Sequence, residues 1–220
     1  KGNINILKVD KDDNKTTIEG VEFDLLDSTG KNIIKHVKTD KNGKAEIKNL
    51  DIGKYILRET KTRKEYKIAL EQNITIEWGK TLNLTIENEK MKGKVKITKI
   101  SEDDNLITGE VAGTPIANVK FEIYDDSGKL VDTLITKTDG IAISKDLVVG
   151  KYIVKEKETG EYYEINENDF EVEITKNGEV VGLTISNKSK TPPPEKPKEE
   201  TPKIEVPPIE PIKKLPVTGY

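Results

Sequence analysis

Two sets of polar residues fall in phase with apolar strand faces, and their types suit one reaction. Successive side chains of an extended strand alternate between its faces. In the first half of the chain Ile4, Ile6 and Lys8 share a face, with Leu7 and Val9 also apolar on the other. In the second half Val95, Ile97 and Lys99 share a face, and Lys96 and Thr98 take the opposite one. The same happens at Tyr55, Leu57 and Glu59, and again at Tyr152, Val154 and Glu156. Leu82, Leu84, Ile86 and Asn88 form a third set, which Val181, Leu183, Ile185 and Asn187 repeat. Each half therefore aims one Lys, one Glu and one Asn along its apolar faces. Burial pushes a lysine toward the neutral amine and a glutamate toward the neutral acid. A neutral amine held against a carboxamide can attack its carbon. A protonated carboxyl beside it can polarise the amide oxygen and shuttle protons while ammonia leaves. Folding supplies the effective concentration that the reaction lacks in solution. The product is a Lys–Asn isopeptide bond. The other reading of the same residues is a buried Lys–Glu ion pair with Asn closing a hydrogen bond.

The elements that must position these residues are repeated. The first half reads ILKVD, VEFDLLDSTGK, KTDKNG, GKYILRE and LTIEN in order. The second reads ITKIS, VKFEIYDDSGK, KTDG, GKYIVKE and LTISN. A longer loop around Gly109 to Pro115 separates the first two blocks of the second copy. The copies span residues 1–89 and 92–188, with a joint of a few residues near Lys90 to Gly93. Short alternating runs rich in Ile, Val, Thr and Tyr predict strands. Ser28-Thr29-Gly30, Asn42-Gly43, Trp78-Gly79, Ser127-Gly128 and Asn177-Gly178 are turn signals between them. No long stretch has helical periodicity. The expectation is all-β: two tandem Ig-like β-sandwiches of around seven strands each, arranged as a rod.

Composition narrows the function classes. The 220 residues suffice for two domains and a tail. No run of 18 apolar residues is present, so no transmembrane helix is expected. The charge of −3 is spread over many Lys and Glu without a basic, aromatic-studded patch, which argues against nucleic acid. Zero cysteines exclude disulfides, Cys nucleophiles, Cys-based zinc sites and Cys–Gln thioesters. The single histidine, His36, argues against a Ser-His-Asp triad and reads as a surface strand residue. Gln72 is the only glutamine, so a Thr–Gln ester staple could not serve both copies. Asp10 to Asn14 begins like a calcium loop, but Lys15 stands where its glycine belongs and Val21 where its glutamate belongs; it reads as a solvated loop. Asp103-Asp104-Asn105 reads the same way. Trp78 is expected to pack on its turn. No cofactor or metal is implied.

The composition changes at about Ser189. Residues 189–220 hold nine of the ten prolines, among Glu and Lys. Such a segment builds no core and favours polyproline II, so some 26 residues could reach roughly 80 Å. It ends in Leu215-Pro216-Val217-Thr218-Gly219, which resembles the LPxTG sorting signal of Gram-positive surface proteins. That resemblance implies cleavage by a sortase between Thr218 and Gly219. Transfer of the Thr carbonyl would follow, to an amine of cell-wall peptidoglycan or of a pilus subunit. The tail would then be a spacer across the wall. A complete signal continues into a hydrophobic stretch, and no signal peptide or initiating Met is present. The expectation is a piece of a longer precursor.

Lys in LKVD/TKIS, Glu in GKYILRE/GKYIVKE and Asn in LTIEN/LTISN resemble the signatures of CnaB-type (SpaA-like, prealbumin-like) domains. The resemblance covers both copies and implies a reverse-immunoglobulin sandwich with neighbouring first and last strands. It also implies bonds Lys8–Asn88 and Lys99–Asn187, with Glu59 and Glu156 as the catalytic groups. Many members carry an Ala-Pro-x-Gly-Tyr-like run after the Glu. This chain has residues 61–66, ending in Tyr66, and 158–162, ending in Tyr162, without the proline.

The combined expectation is a structural stalk or a minor or basal pilin, extracellular and joined to the cell wall, whose only chemistry is self-crosslinking. No Tyr-Pro-Lys-like pilin motif is present, which argues against a polymerising backbone subunit. The alternative is an adhesin whose sandwiches bind a host matrix protein directly. No aromatic patch speaks for it. An enzyme acting on an external substrate is disfavoured by the lack of Cys and the single His.

Overall fold

Alternating side chains are realised as extended strands, and two sheets in each copy close over the apolar faces. A computed structural model describes residues 1–192. The segment from residue 193 onward, with Leu215 to Gly219, lies outside the described residues. Among the described residues every regular element is a strand. The first unit holds β1 (Gly2–Asp10), β2 (Glu22–Asp27), β3 (Ile33–Lys38), β4 (Lys44–Leu50), β5 (Gly53–Lys61), β6 (Gln72–Ile76) and β7 (Thr81–Asn88). The second holds β8 (Lys92–Ser101), β9 (Lys120–Asp125), β10 (Leu130–Ile135), β11 (Ile141–Ile143), β12 (Leu147–Val148), β13 (Gly150–Glu158), β14 (Asp169–Ile174) and β15 (Val180–Asn187).

In the first unit a sheet in the order β4-β1-β7 covers one in the order β3-β2-β5-β6. Ile4, Ile6, Phe23, Leu25, Leu57 and Ile86 are among the buried residues between them. In the second unit β8 pairs with β11, β12 and β15, and the other sheet runs β10-β9-β13-β14. Val95, Ile97, Phe121, Ile123, Val154 and Ile185 are among its core. The first and last strands of each unit are parallel neighbours. Lys8 stands opposite Ile86 and Asp10 opposite Asn88; Lys99 stands opposite Ile185 and Ser101 opposite Asn187. Parallel neighbours need a crossover, and here the whole remainder of the unit supplies it.

The second unit has eight strands rather than seven because the counterpart of β4 is broken. The Ser144 hydroxyl accepts the Val95 N–H at 2.9 Å and donates to the Lys145 carbonyl, so a side chain replaces part of the ladder between β11 and β12. The loop between β8 and β9 is also longer than that between β1 and β2, as the spacing of the repeats requires.

One turn presses directly on the reactive strand. Gly43 has φ of 69°, and a Cβ there would lie 2.5 Å from the Lys8 carbonyl oxygen. Only glycine fits both the conformation and the approach. In return the Lys8 N–H donates to the Gly43 carbonyl at 2.8 Å. Gly140 repeats this at Lys99, with φ of 71° and the same 2.8 Å bond. These turns fix the height of both lysines within their sheets.

Candidate functional site

Each unit gathers its Lys, Glu and Asn from two sheets. Lys8 and Asn88 come from the parallel pair β1 and β7, and Glu59 from β5 on the facing sheet. Lys99, Asn187 and Glu156 hold the same places on β8, β15 and β13. Both lysines have 0 % exposure, and Glu59, Glu156, Asn88 and Asn187 are buried with them. A lysine this deep needs every donor answered.

Lys8 Nζ donates to Asn88 Oδ1 at 2.5 Å and to the Ile86 carbonyl at 3.0 Å. Asn88 Nδ2 donates to Glu59 Oε1 at 2.6 Å and to Thr62 Oγ1 at 2.8 Å. Glu59 Oε2 has no hydrogen-bond partner and lies 3.4 Å from Lys8 Nζ. In the second unit Lys99 Nζ donates to Asn187 Oδ1. Asn187 Nδ2 donates to Glu156 Oε1 at 2.5 Å and to Thr159 Oγ1 at 2.9 Å. Glu156 Oε2 is likewise without a hydrogen bond and sits 3.0 Å from Lys99 Nζ. Each carboxyl thus touches both the amine and the amide nitrogen. It faces the nitrogen of the carboxamide, not its oxygen. This geometry suits proton transfer from one nitrogen to the other and does not suit polarisation of the amide oxygen by the carboxyl.

Desolvation lowers the Lys8 pKa from the usual 10.5 to about 8, against the opposing pull of Glu59. Desolvation lowers that of Lys99 too, again opposed by Glu156. A surface cleft of about 370 Å³ reaches Asn88 in the first unit, and one of about 320 Å³ reaches Asn187 in the second.

Thr62 and Thr159 are the residues that strand alternation missed. Strict alternation from Glu59 would turn Lys61 inward, and from Glu156 it would turn Glu158 inward. The pairing shifts at this point: Phe23 faces Glu59 while Glu22 faces Lys61, and Phe121 faces Glu156 while Lys120 faces Glu158. The extra residue, Thr60 or Lys157, resets the phase, as bulges do. Lys61 and Glu158 consequently point to solvent, and the half-buried Thr62 and Thr159 turn in. A signal for them does exist. Between the Glu and the next buried Tyr, Thr is the one residue type the two copies share at the same spacing.

Three further expectations change. The second copy's counterpart of Tyr66 is Tyr163, seven residues after its Glu, and not Tyr162; Tyr66 and Tyr163 are buried, and Tyr162 is exposed. Asp10 is not part of a solvated loop. It is fully buried, accepting from the Tyr66 hydroxyl at 2.8 Å and pairing with Lys90 at 2.6 Å. Its strand phase, two residues after Lys8, explains why. Among the described residues no group of three or more His, Cys, Asp or Glu side chains is placed to hold a metal ion. Trp78 does not pack on its turn and is 77 % exposed. His36 does lie on the surface strand β3, with Nδ1 2.7 Å from Asp24 Oδ1.

Comparison with known proteins agrees with this architecture. The chain is 32 % identical to the Bacillus anthracis TIE protein, whose structure superposes with a TM-score of 0.72 over 86 % of this chain and 34 % of that one. It is 33 % identical over 81 residues to the trypsin-resistant surface T6 protein of Streptococcus pyogenes serotype M6. That match covers 37 % of this chain and 15 % of the T6 protein, so the chain spans only a small part of that relative. The minor pilin of Streptococcus agalactiae is 22 % identical, with a TM-score of 0.41 over 90 % of this chain and 99 % of its own. The family model described as SpaA, prealbumin-like fold domain, matches twice, over residues 2–90 and 93–189. With both sandwiches matched in full, the chain belongs to the SpaA prealbumin-like domain family.

Proposed function

We propose that this chain is a load-bearing stalk of a Gram-positive surface protein, of the minor or basal pilin type. In this reading Lys8–Asn88 and Lys99–Asn187 become isopeptide bonds, with Glu59 and Glu156 as the proton-transfer groups. The observation that carries it is the double occurrence of one buried Lys–Asn–Glu arrangement across first and last strands. One relative is named as a surface protein, which fits the same role. The domain limits follow: sandwiches at 1–89 and 92–188, and a wall-spanning tail at 189–220. Leu215 to Gly219 would be the sortase substrate, joined at Thr218 to peptidoglycan or to a pilus subunit and so held outside the cell.

The reaction balances within each site. The unprotonated Lys8 amine attacks Asn88 Cγ, and a C–N bond forms. Its proton passes to the Glu59 carboxyl through Oε2. The same carboxyl delivers a proton to Nδ2 through Oε1. The Cγ–Nδ2 bond breaks, and ammonia departs into the cleft beside Asn88. Only the neutral amine is nucleophilic, so its fraction sets the rate below its pKa. Crosslinking at Lys8 in freshly folded protein should therefore accelerate as pH rises toward about 8 and level off above it. A rate that falls across that interval would contradict an amine nucleophile.

The direct test is the intact mass of the denatured chain. Two ammonia masses missing, with branched peptides joining residues 8–88 and 99–187, is the expected result. The full calculated mass would remove the covalent mechanism and leave two buried ion pairs.

A further inference from the structure

We propose that Thr62 and Thr159 are positioning residues for the crosslinking reaction, each setting the plane in which its asparagine carboxamide meets the lysine. The inference rests on the isopeptide reading above and extends it to a fourth residue in each unit.

A primary carboxamide has two N–H donors in a fixed fork and a carbonyl in the same plane. In the first unit one N–H goes to Glu59 Oε1 at 2.6 Å and the other to Thr62 Oγ1 at 2.8 Å. The second unit repeats both contacts, at 2.5 Å to Glu156 and 2.9 Å to Thr159. With the carbonyl also held by the lysine, all three in-plane directions are occupied. Lys and Glu already decide which end of the amide is oxygen. Without the threonine, however, two contacts instead of three restrain rotation about the Cβ–Cγ bond, and the plane of the carboxamide is held less firmly. Nucleophilic addition proceeds from above or below that plane, so its tilt decides whether Nζ meets carbon or the edge of the group.

The bulges at Thr60 and Lys157 are what bring these threonines inward. The placement is thus built into the backbone twice, in loops whose other residues differ. A hydroxyl also suits the whole course of the reaction. It accepts from Nδ2 before ammonia leaves and is free to donate afterwards, as neither a carbonyl nor an ammonium could.

The two units provide an internal control. Wild type, Thr62→Val, Thr62→Ala, Thr62→Ser and Glu59→Gln would be made as full chains by cell-free synthesis, quenched in denaturant at intervals, and mapped for both branched peptides. Thr62→Val and Thr62→Ala are expected to slow the 8–88 bond about tenfold, with the 99–187 bond forming at its normal rate. Thr62→Ser should restore most of the rate, because it returns the hydroxyl. The pH at which the 8–88 rate levels off should not move in Thr62→Val, since the amine's surroundings are kept; only the plateau should fall. A disrupted site would shift both. Formation of the 8–88 bond at the wild-type rate in both apolar variants would overturn the proposal while leaving the crosslink reading intact. So would a serine variant as slow as the valine one. Absence of both bonds in the wild type would instead overturn the reading on which the proposal stands.

Discussion

Glu59→Gln is expected to yield a chain short of one ammonia instead of two, and Glu156→Gln the same chain with the other bond missing. Glutamine keeps the shape of the side chain and one oxygen to accept from Asn88 Nδ2, but it cannot take a proton from an amine. The contacts at 2.6 Å to the leaving nitrogen and 3.4 Å to the amine define the step that is lost. Loss of a general acid–base group slows a reaction by about 10²–10⁴-fold. A bond completed soon after folding in the wild type would then be absent on the timescale of purification. The prediction is selective, because each substitution should spare the bond in the other unit. The double variant should have the full calculated mass. Normal 8–88 crosslinking in Glu59→Gln would remove the carboxyl from the mechanism and leave desolvation of the lysine as the main driving effect.

How much of this arrangement was legible depended on where the period-2 pattern holds. Lys8 and Lys99 lie within β1 and β8, Glu59 and Glu156 just before the bulges of β5 and β13, and Asn88 and Asn187 at the last residues of β7 and β15, all where alternation from the preceding residues still assigns a face. Their inward direction followed from apolar neighbours at i±2. Thr62 and Thr159 lie beyond a bulge, where one inserted residue inverts the assignment, and alternation points to Lys61 and Glu158 instead. Tyr163 stands seven residues after its Glu, as Tyr66 does, so the spacing of the repeat singles it out over the adjacent Tyr162. Asp10 opens an acidic run that resembles a solvated loop, yet it continues the inward face of β1. The repeat does not flag it, because Ser101 takes its place opposite Asn187 in the second copy. The two-sheet architecture and the absence of helix among the described residues follow from patterns that span many residues and tolerate single errors, whereas the adjacency of first and last strands is implied by the family resemblance and their parallel pairing is seen only in the structure. A side chain at the edge of a strand has no such averaging.

The copies also separate what the site requires from what surrounds it. Asp10 and Tyr66 form a buried polar pair beside the first site, joined by the half-buried Lys90. In the second unit Tyr163 turns to Glu110 instead, at 3.1 Å, and Ser101 donates to the Asp103 carbonyl. The Lys, Glu, Asn and Thr contacts persist across that change. Neighbouring charge therefore varies while the four-residue core holds, as expected if the chemistry needs only those four.

The larger consequence concerns strength, and the uncrosslinked Glu59→Gln and Glu156→Gln chains measure it. Lys8 and Asn88 are 80 residues apart in sequence, and Lys99 and Asn187 are 88 apart. In the chain-entropy model, closing loops of this length stabilises each unit by about 4–5 kcal/mol. For a unit of this size that corresponds to a fall in melting temperature of roughly 20–30 °C when the bond is absent. Under tension the difference is greater still. Force enters β1 at its start and leaves β7 at its end, so the parallel pair is loaded in shear along its whole length. With the bond in place the load runs from residue 1 to Lys8, crosses to Asn88 and continues through β8 to Lys99 and Asn187. The residues between each pair carry none of it. Pulling the wild-type chain by its ends should therefore release almost no hidden length from either unit. In Glu59→Gln the first unit should open in one step. At about 3.5 Å per residue, the 80-residue separation of Lys8 and Asn88 should add roughly 280 Å of contour. The second unit should release roughly 310 Å in Glu156→Gln by the same arithmetic over 88 residues. Wild-type molecules that unfold to these full lengths would show that no covalent path joins the first and last strands. The stalk would then depend on hydrogen bonds and buried ion pairs alone.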